Sequence, residues 1–101
     1  MDVLAAFEGF DWDDGNRSKN QLKHNVLDSE CEEVFFNEPL LLTDDKKHSD
    51  VEHRIVAFGV TNSGRRPMIV FTPRGSLLRV ISAREMNRRE RTMYKSYEEA
   101  A

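Results

Sequence analysis

The second half of the chain is organised around the stretch Arg74-Gly75-Ser76-Leu77-Leu78-Arg79-Val80-Ile81-Ser82-Ala83-Arg84-Glu85. The apolar run from Leu77 to Ile81 follows a turn at Gly75 and predicts a β-strand. Ser82 with Glu85 three positions later is a capping-box signature, which predicts that a helix begins here. The arginines of the stretch would then lie beside the exposed amides of a helix N-terminus, where a phosphate is readily held. The stretch therefore points towards nucleic acid.

A series of short strands is predicted from residue 40 onwards. Polar segments separate four apolar ones, namely Leu40 to Leu42, Arg54 to Val60, Pro67 to Thr72 and Leu77 to Ser82. Because short connections join antiparallel neighbours, the last three strands form a meander, and the first, after Pro39, is an edge strand. Lys46 to Asp50 is polar and is interpreted as a loop. Val3 to Phe10 is either a further short strand or a lead-in.

Two helices are predicted before these strands. Asp13 or Asp14 caps a helix that runs to about His24 and ends at Asn25, a residue suited to the left-handed conformation. The other helix begins at Asp28. Its inward face is made by residues spaced three and four apart, which are Cys31, Val34 and Phe35.

A third, amphipathic helix is predicted from about Ala83 to Glu98. Its apolar stripe consists of Met86, Met93 and Tyr97, and its basic ridge of Arg84, Arg88, Arg91 and Lys95. The aromatic residues assigned to the core are Phe35, Phe36, Phe58 and Phe71, and Trp12 is either a core anchor or a surface on which a base stacks. The fold class is therefore α+β: an antiparallel β-sheet packed with two N-terminal helices and one C-terminal helix.

The length and charge of the chain limit the kinds of function that it can have. The chain has 101 residues, which is room for one small domain over residues 1–101. Its net charge of −3 conceals a division, because five Lys/Arg stand against thirteen Asp/Glu in residues 1–50 and ten against five in residues 51–101. A basic half suits a phosphate-binding surface, and an acidic half suits a basic partner. Alternatively, the two halves neutralise each other within the fold.

Composition also excludes several kinds of protein. The single cysteine, Cys31, rules out an intramolecular disulfide and a cysteine-based zinc cluster. His48 and His53 have no third ligand near them, so we expect neither a metal nor a cofactor. No apolar run reaches the ~18 residues of a membrane span, and the N-terminus lacks the basic start of a signal peptide. We expect a cytoplasmic protein that does not engage a membrane.

Metal-free RNA cleavage is a chemistry that suits the basic half. It needs a base for the 2′-hydroxyl proton, an acid for the leaving oxygen, and cations for the charge that gathers on the phosphorane. Arginine suits the last role, and four arginines lie at the ends of predicted strands: Arg54, Arg74, Arg79 and Arg84. Glu52 is a candidate base because alternation places it on the face of Arg54. Alternation places Arg79 and Arg84 on opposite faces, so only the turn into the third helix would bring them together.

Each candidate also has a purely structural explanation. Arg79 is equally well explained as the half-buried partner of a carboxylate. Glu52 with Arg54 is equally well explained as a surface ion pair. Arg88 and Arg91 are more simply explained as part of a solvated helix face.

The residues resemble the BrnT toxins of bacterial type II toxin-antitoxin systems. The likeness extends from about Phe10 to Tyr97 and rests on the order and spacing of short motifs. These are Phe10-Asp11-Trp12-Asp13, Lys19-Asn20, Lys23-His24, Val34-Phe35, His48-Ser49, Glu52-x-Arg54, Gly59, Thr72-x-Arg74, Arg79-Val80-Ile81-Ser82-Ala83-Arg84 and Glu90-Arg91-x-x-Tyr94.

The resemblance implies a RelE-like fold and a ribonuclease that arrests growth. With the chemistry above, it leads us to expect catalytic roles for Glu52, Arg54, Arg79 and Arg84, and RNA-phosphate binding by Lys23, His24, Arg74, Arg88 and Arg91. It also implies a partner antitoxin, BrnA, with a ribbon-helix-helix part that binds DNA. We expect the two proteins to form a heterotetramer, in which the toxin meets operator DNA only through the antitoxin.

Two other functions remain open. Phe71 stands where these toxins often carry tyrosine, so the chain is alternatively a module that binds RNA or antitoxin without cleaving. A DNA-binding regulator in its own right would need a recognition helix in a defined motif, and the sequence offers none.

Overall fold

The computed structural model describes residues 3–48 and 52–100. Within these residues the order of elements is β1 (Gly9–Phe10), α1 (Lys19–His24), α2 (Asp28–Val34), β2 (Leu41–Asp44), β3 (Ile55–Phe58), β4 (Pro67–Arg74), β5 (Leu77–Glu85) and α3 (Arg88–Ala100). Short 3₁₀ turns occur at Val3–Ala6 and Lys46–His48. The predicted α+β class is confirmed. Residues 49 and 50 of the predicted polar loop lie outside the described residues.

The strands form one sheet in the order β1-β5-β4-β3-β2. β2 to β5 are joined antiparallel, each to the next, which confirms the predicted meander. β1 is different, because Gly9 and Phe10 pair in parallel with Leu77 and Leu78 of β5. The sheet is therefore mostly antiparallel, and β1 pairs with only the first two residues of β5.

One face of the sheet, which we call the core face, packs against the N-terminal helices. Ile69 and Phe71 of β4 and Val80 of β5 are fully buried here, together with Cys31 and Val34 of α2. The predicted inward face of α2 is therefore confirmed. The assignment of Phe36 to the core is wrong: α2 ends at Val34, and the Phe36 side chain is 67% exposed.

The first helix begins later than predicted. Asp13 does not cap it, because the Asp13 carboxylate accepts a hydrogen bond from the Gly15 N–H (2.8 Å) in a turn and also binds Arg79. α1 begins only at Lys19, after Ser18 has adopted a left-handed conformation with φ of 59°. The predicted end of the helix is confirmed, since Asn25 is left-handed with φ of 56°.

The third helix also begins later, and the predicted capping box at Ser82 and Glu85 is wrong. These residues continue β5, where they pair with Val70 and Pro67 of β4. The true reciprocal cap is Asn87 with Glu90, in which each backbone N–H donates to the other side chain at 2.9 Å. Extended pairing with β4 therefore outcompetes the local helix signal.

The residue of α3 that is buried against the rest of the protein differs from the predicted one. Tyr94 is fully buried and donates a hydrogen bond from its hydroxyl to the Pro39 carbonyl at 2.5 Å. Burial also raises the pKa of Tyr94 to about 12. Tyr97, predicted to face inward, is 51% exposed. Arg84 belongs to β5 and not to the basic ridge of the helix.

A register shift in β5 changes which side chains share a face. Val70 pairs with Ser82 but Phe71 pairs with Val80, so Ile81 is an extra residue in β5, as in a β-bulge. The extra residue reverses the alternation beyond it. Side chains of β5 that a regular strand would place on opposite faces therefore lie on the same one.

Two asparagine side chains pair with the edge of β5 that β1 leaves uncovered. The Asn16 amide donates to the Val80 carbonyl at 2.9 Å, and the Asn20 side-chain oxygen accepts from the Ala83 N–H at 2.9 Å. Both asparagines are more than nine-tenths buried. They take the place of a neighbouring strand, because buried backbone groups must be hydrogen-bonded.

We expect Asn20→Ala to destabilise the protein by about 1 to 2 kcal/mol, because it leaves the buried Ala83 N–H without a partner. Gln21→Ala is the matched control: it lies next to Asn20 on α1 and is exposed, so its effect should stay within about 0.5 kcal/mol. Urea unfolding at constant m-value measures both. Equal midpoints for the two variants would contradict the proposed role of Asn20.

Candidate functional site

Arg79 lies on the face of the sheet opposite the core face and is held by two carboxylates. Its two terminal nitrogens donate to Asp13 at 3.0 and 2.9 Å, and Nη1 is 3.5 Å from Asp11. The hydrogen bond from Arg79, followed by that from the Gly15 N–H, lowers the pKa of Asp13. The carboxylate partner that the sequence offered as an alternative for Arg79 therefore exists, and it is Asp13 with Asp11.

Glu52 joins two further arginines on the same face. Its carboxylate oxygens lie 3.4 Å from Arg54 and 3.3 Å from Arg74. Arg74 follows Thr72, the β4 partner of Arg79, by two residues and so projects from the same face. Its charge also reaches Asp13, where it helps to lower the pKa. We call Glu52, Arg54, Arg74 and Arg79 the arginine cluster.

Arg84 lies on the face of the arginine cluster but is not part of it. The extra residue Ile81 turns Arg84 to the side of Arg79, which corrects the prediction that alternation separates them and that only a helix turn would unite them. Their β4 partners, Thr72 and Met68, are four residues apart, so about 13 Å separates the two arginines along the sheet.

Arg84 is bound by a carboxylate of its own. Its terminal nitrogens donate to the two oxygens of Glu90 at 2.8 and 3.1 Å. The hydrogen bond from Arg84 lowers the pKa of Glu90, more than partial burial raises it, and the same bond raises the pKa of Arg84. This pair ties α3 to the face that carries the arginine cluster.

The predicted phosphate-binding residues are scattered. Lys23 and His24 are exposed at the end of α1, which lies beside the Ala83 end of β5 and not beside Arg79. Arg88 and Arg91 are exposed on α3, although Arg91 also donates to the Met86 carbonyl at 2.6 Å. Of that set only Arg74 joins the cluster.

The two charged halves of the chain partly neutralise each other. Arg65 donates to Glu30 of α2 at 2.9 Å and to the Asn25 carbonyl at 2.7 Å. Arg79 binds Asp13 and Asp11 in the same manner. The alternative interpretation of the charge division is therefore correct for these pairs, while the second half keeps exposed basic residues on α3.

Other kinds of site find no support in the part of the chain that the structure describes. Residues 3–48 and 52–100 contain no group of three or more His, Cys, Asp or Glu side chains able to hold a metal ion. Across the same ranges, no helix has the length and apolar character needed to cross a membrane. Burial raises the pKa of the Cys31 thiol to about 12, which leaves it a packed core residue and not a nucleophile.

The sequence profile of one protein family, described as ribonuclease toxin, BrnT, of type II toxin-antitoxin system, matches residues 12–90. The matched region is well over half of the chain. It contains the whole arginine cluster, Asp13, and the pair formed by Arg84 and Glu90. Among curated proteins the chain has no match.

The pair between Arg84 and Glu90 should make stability depend on pH. Because the folded state lowers the pKa of Glu90 below its ordinary value of 4.5, its contribution is complete above that pH and is lost as pH falls through the folded value. Glu90→Gln should therefore be less stable than wild type by about 1 kcal/mol at pH 7, with a gap that closes in acid.

Urea unfolding from pH 7 to pH 3 measures the gap. Asp13 titrates in both proteins, so the difference between them isolates Glu90. Glu99→Gln is the control, because that exposed side chain lies 4.0 Å from Lys95 and should change stability by no more than a few tenths of a kcal/mol. A gap that is the same at pH 3 and pH 7 would contradict the interpretation.

Proposed function

The chain belongs to the BrnT family of ribonuclease toxins of type II toxin-antitoxin systems, and we propose that it cleaves RNA without a metal ion at the arginine cluster. One observation carries this proposal. Three arginines and one carboxylate lie together on one face of the sheet, with Arg74 and Arg79 both close enough to act on Asp13. Guanidinium groups stay charged at all relevant pH values and meet phosphate oxygens in pairs.

The cluster suggests a role for each of its members. Arg74 and Arg79 bind the scissile phosphate and stabilise the charge that develops on it. Glu52 takes the proton of the 2′-hydroxyl, Arg54 holds the Glu52 carboxylate in place, and water protonates the leaving 5′-oxygen. Arg84, about 13 Å further along the same face, binds a flanking phosphate of the strand. The exposed basic residues Lys23, His24, Arg88 and Arg91 guide RNA by long-range attraction.

The position of Phe71 removes the main argument for the non-catalytic alternative. Its side chain is fully buried on the core face, where its ring meets that of Phe35 edge-on at 5.2 Å between centroids. A tyrosine hydroxyl at this position would point into the core and away from the arginine cluster. Its absence therefore removes no group from the proposed site.

The remaining elements of the proposal follow from the family. We propose a RelE-like arrangement of one domain over the whole chain, a cytoplasmic toxin that arrests growth, and silencing by its antitoxin. The antitoxin would be BrnA-like, with a ribbon-helix-helix part that binds operator DNA, and the complex would be a heterotetramer.

We expect the purified protein to cut single-stranded RNA in EDTA. Arg79→Ala should lower kcat/KM by about 10²- to 10³-fold, because it removes a cation that stabilises the transition state, and Arg84→Ala should lower it less, because it removes a contact with a flanking phosphate. Arg89→Ala is the matched control, since Arg89 is an exposed α3 arginine outside the cluster and should change activity little.

Activity that is abolished by EDTA and restored by magnesium or zinc would contradict metal independence. If Arg79→Ala does not fold, the pair with Asp13 is structural, and Arg74→Ala, at a side chain 52% exposed, tests the same site. A wild-type protein that binds RNA but never cuts it would favour the binding module.

We expect the antitoxin to place acidic residues over Arg54, Arg74, Arg79 and Arg84. Its association rate should then fall as salt is raised, while apolar contacts set the dissociation rate. Stopped-flow association at several salt concentrations measures the first effect, and hydrogen exchange with and without antitoxin locates the contact. Protection confined to α1 and α2, with residues 74–85 as exposed as in the free toxin, would show that inhibition works elsewhere.

A further inference from the structure

We propose that Asp13 is a positioning residue for RNA cleavage, which fixes the Arg79 guanidinium in the orientation that meets the phosphate. This inference rests on the proposed function and adds a residue outside the arginine cluster. Asp13 carries a negative charge that repels a phosphate, so the effect of its charge and the effect of its geometry can be tested separately.

Asp13 is held in a rigid turn. Its backbone N–H donates to the Asn16 side-chain oxygen at 2.8 Å, and its own carboxylate accepts from the Gly15 N–H at 2.8 Å. Asn16 is 3% exposed and donates its amide to the carbonyls of Asp11 and Val80, both at 2.9 Å. Since Val80 follows Arg79 directly, the turn that presents Asp13 is fastened to the strand that presents Arg79.

The contact between the two side chains fixes the plane of the guanidinium. Two nearly parallel hydrogen bonds, at 3.0 and 2.9 Å, join the two terminal nitrogens of Arg79 to the two oxygens of Asp13. Of the five N–H groups of an arginine, Asp13 leaves three, and Asp11 lies 3.5 Å from Nη1. Those three therefore keep a defined direction on the face of the arginine cluster.

Gly15 allows this close approach. A Cβ atom at position 15 would lie 3.0 Å from the Arg79 Nη2 and 3.0 Å from the Asp13 Oδ1. Contacts that short would push the guanidinium away from the carboxylate. The turn from Asp11 to Asn16 therefore leaves room for the Arg79 guanidinium beside the Asp13 carboxylate.

The negative charge of Asp13 and its contact with Arg79 predict different effects when Asp13 is replaced. Its side chain is 58% exposed, so its negative charge reaches an approaching RNA and weakens binding. Loss of that charge alone would tighten RNA binding. Loss of positioning would slow the chemical step, because a reacting group displaced by about 1 Å can lower the rate by about 10²-fold.

The test compares Asp13→Asn with Asp14→Asn in RNA cleavage. Both variants remove one exposed carboxylate from the same turn. We expect Asp13→Asn to lower kcat by about ten- to hundredfold with KM unchanged or lower. Asp14→Asn should leave kcat unchanged. Urea unfolding gives the folded fraction, so that kcat is expressed per folded molecule and a simple loss of stability is not mistaken for the effect.

NMR of the arginine side chains provides a readout that does not need catalysis. In wild type and Asp14→Asn, the Nη protons of Arg79 should give separate signals, because the paired hydrogen bonds restrict rotation. In Asp13→Asn these signals should merge. Signals that stay separate in Asp13→Asn would overturn the positioning role.

The outcomes distinguish this inference from the proposed function. If wild type cleaves and Asp13→Asn cleaves equally well or better, Asp13 does not position Arg79 and the inference is overturned, while the proposed function stands. If wild type and Asp14→Asn fail to cleave RNA, the proposed function is overturned, and the NMR signals decide whether Asp13 positions Arg79.

Discussion

The uncovered edge of β5 is the constraint on which the rest of the structure depends. A buried strand must have partners for its backbone groups, and β1 supplies them only at Leu77 and Leu78. Asn16 and Asn20 supply the next ones through their side chains. The chain before α1 is thereby bound to β5 as a shaped turn. That turn presents the carboxylate which holds Arg79. The arrangement of the candidate site therefore depends on the need of the β5 backbone for hydrogen-bond partners.

The parts of the fold that the sequence predicted well are those set by local pattern. The apolar segments separated by short polar turns predicted the meander. The spacing of Cys31 and Val34 predicted the buried face of α2. The errors arose where a distant partner outcompeted a local signal. Ser82 and Glu85 have the spacing of a helix cap, but β4 offers them backbone partners. Asp13 looks like a helix cap, but Arg79, 66 residues away, takes its side chain.

Less of the arrangement of the candidate site was predictable, although Glu52, Arg54, Arg74 and Arg79 were all among the residues that the sequence suggested. Glu52 and Arg54 were paired by alternation, and the ion pair is present. The prediction that Arg79 and Arg84 lie on opposite faces was wrong, because alternation assumes a regular strand. No residue type in the sequence indicates the extra position at Ile81. The sequence suggested a carboxylate partner for Arg79 without identifying it as Asp13, and it suggested none for Arg84. Asp13 lies in a conspicuous acidic turn, but only the fold shows that Asn16 fastens the turn to β5.

The bulge in β5 has a consequence for how chains of this kind tolerate insertions and deletions. Arg79 and Arg84 are five positions apart, and the extra residue Ile81 is what places both of them on one face. A deletion of one residue between them, which would heal the bulge, would leave four positions and so keep both arginines on that face. A relative that lacks the extra residue can therefore present the same two arginines on one face, whereas a change of register that removed the bulge without a deletion would turn Arg84 into the core.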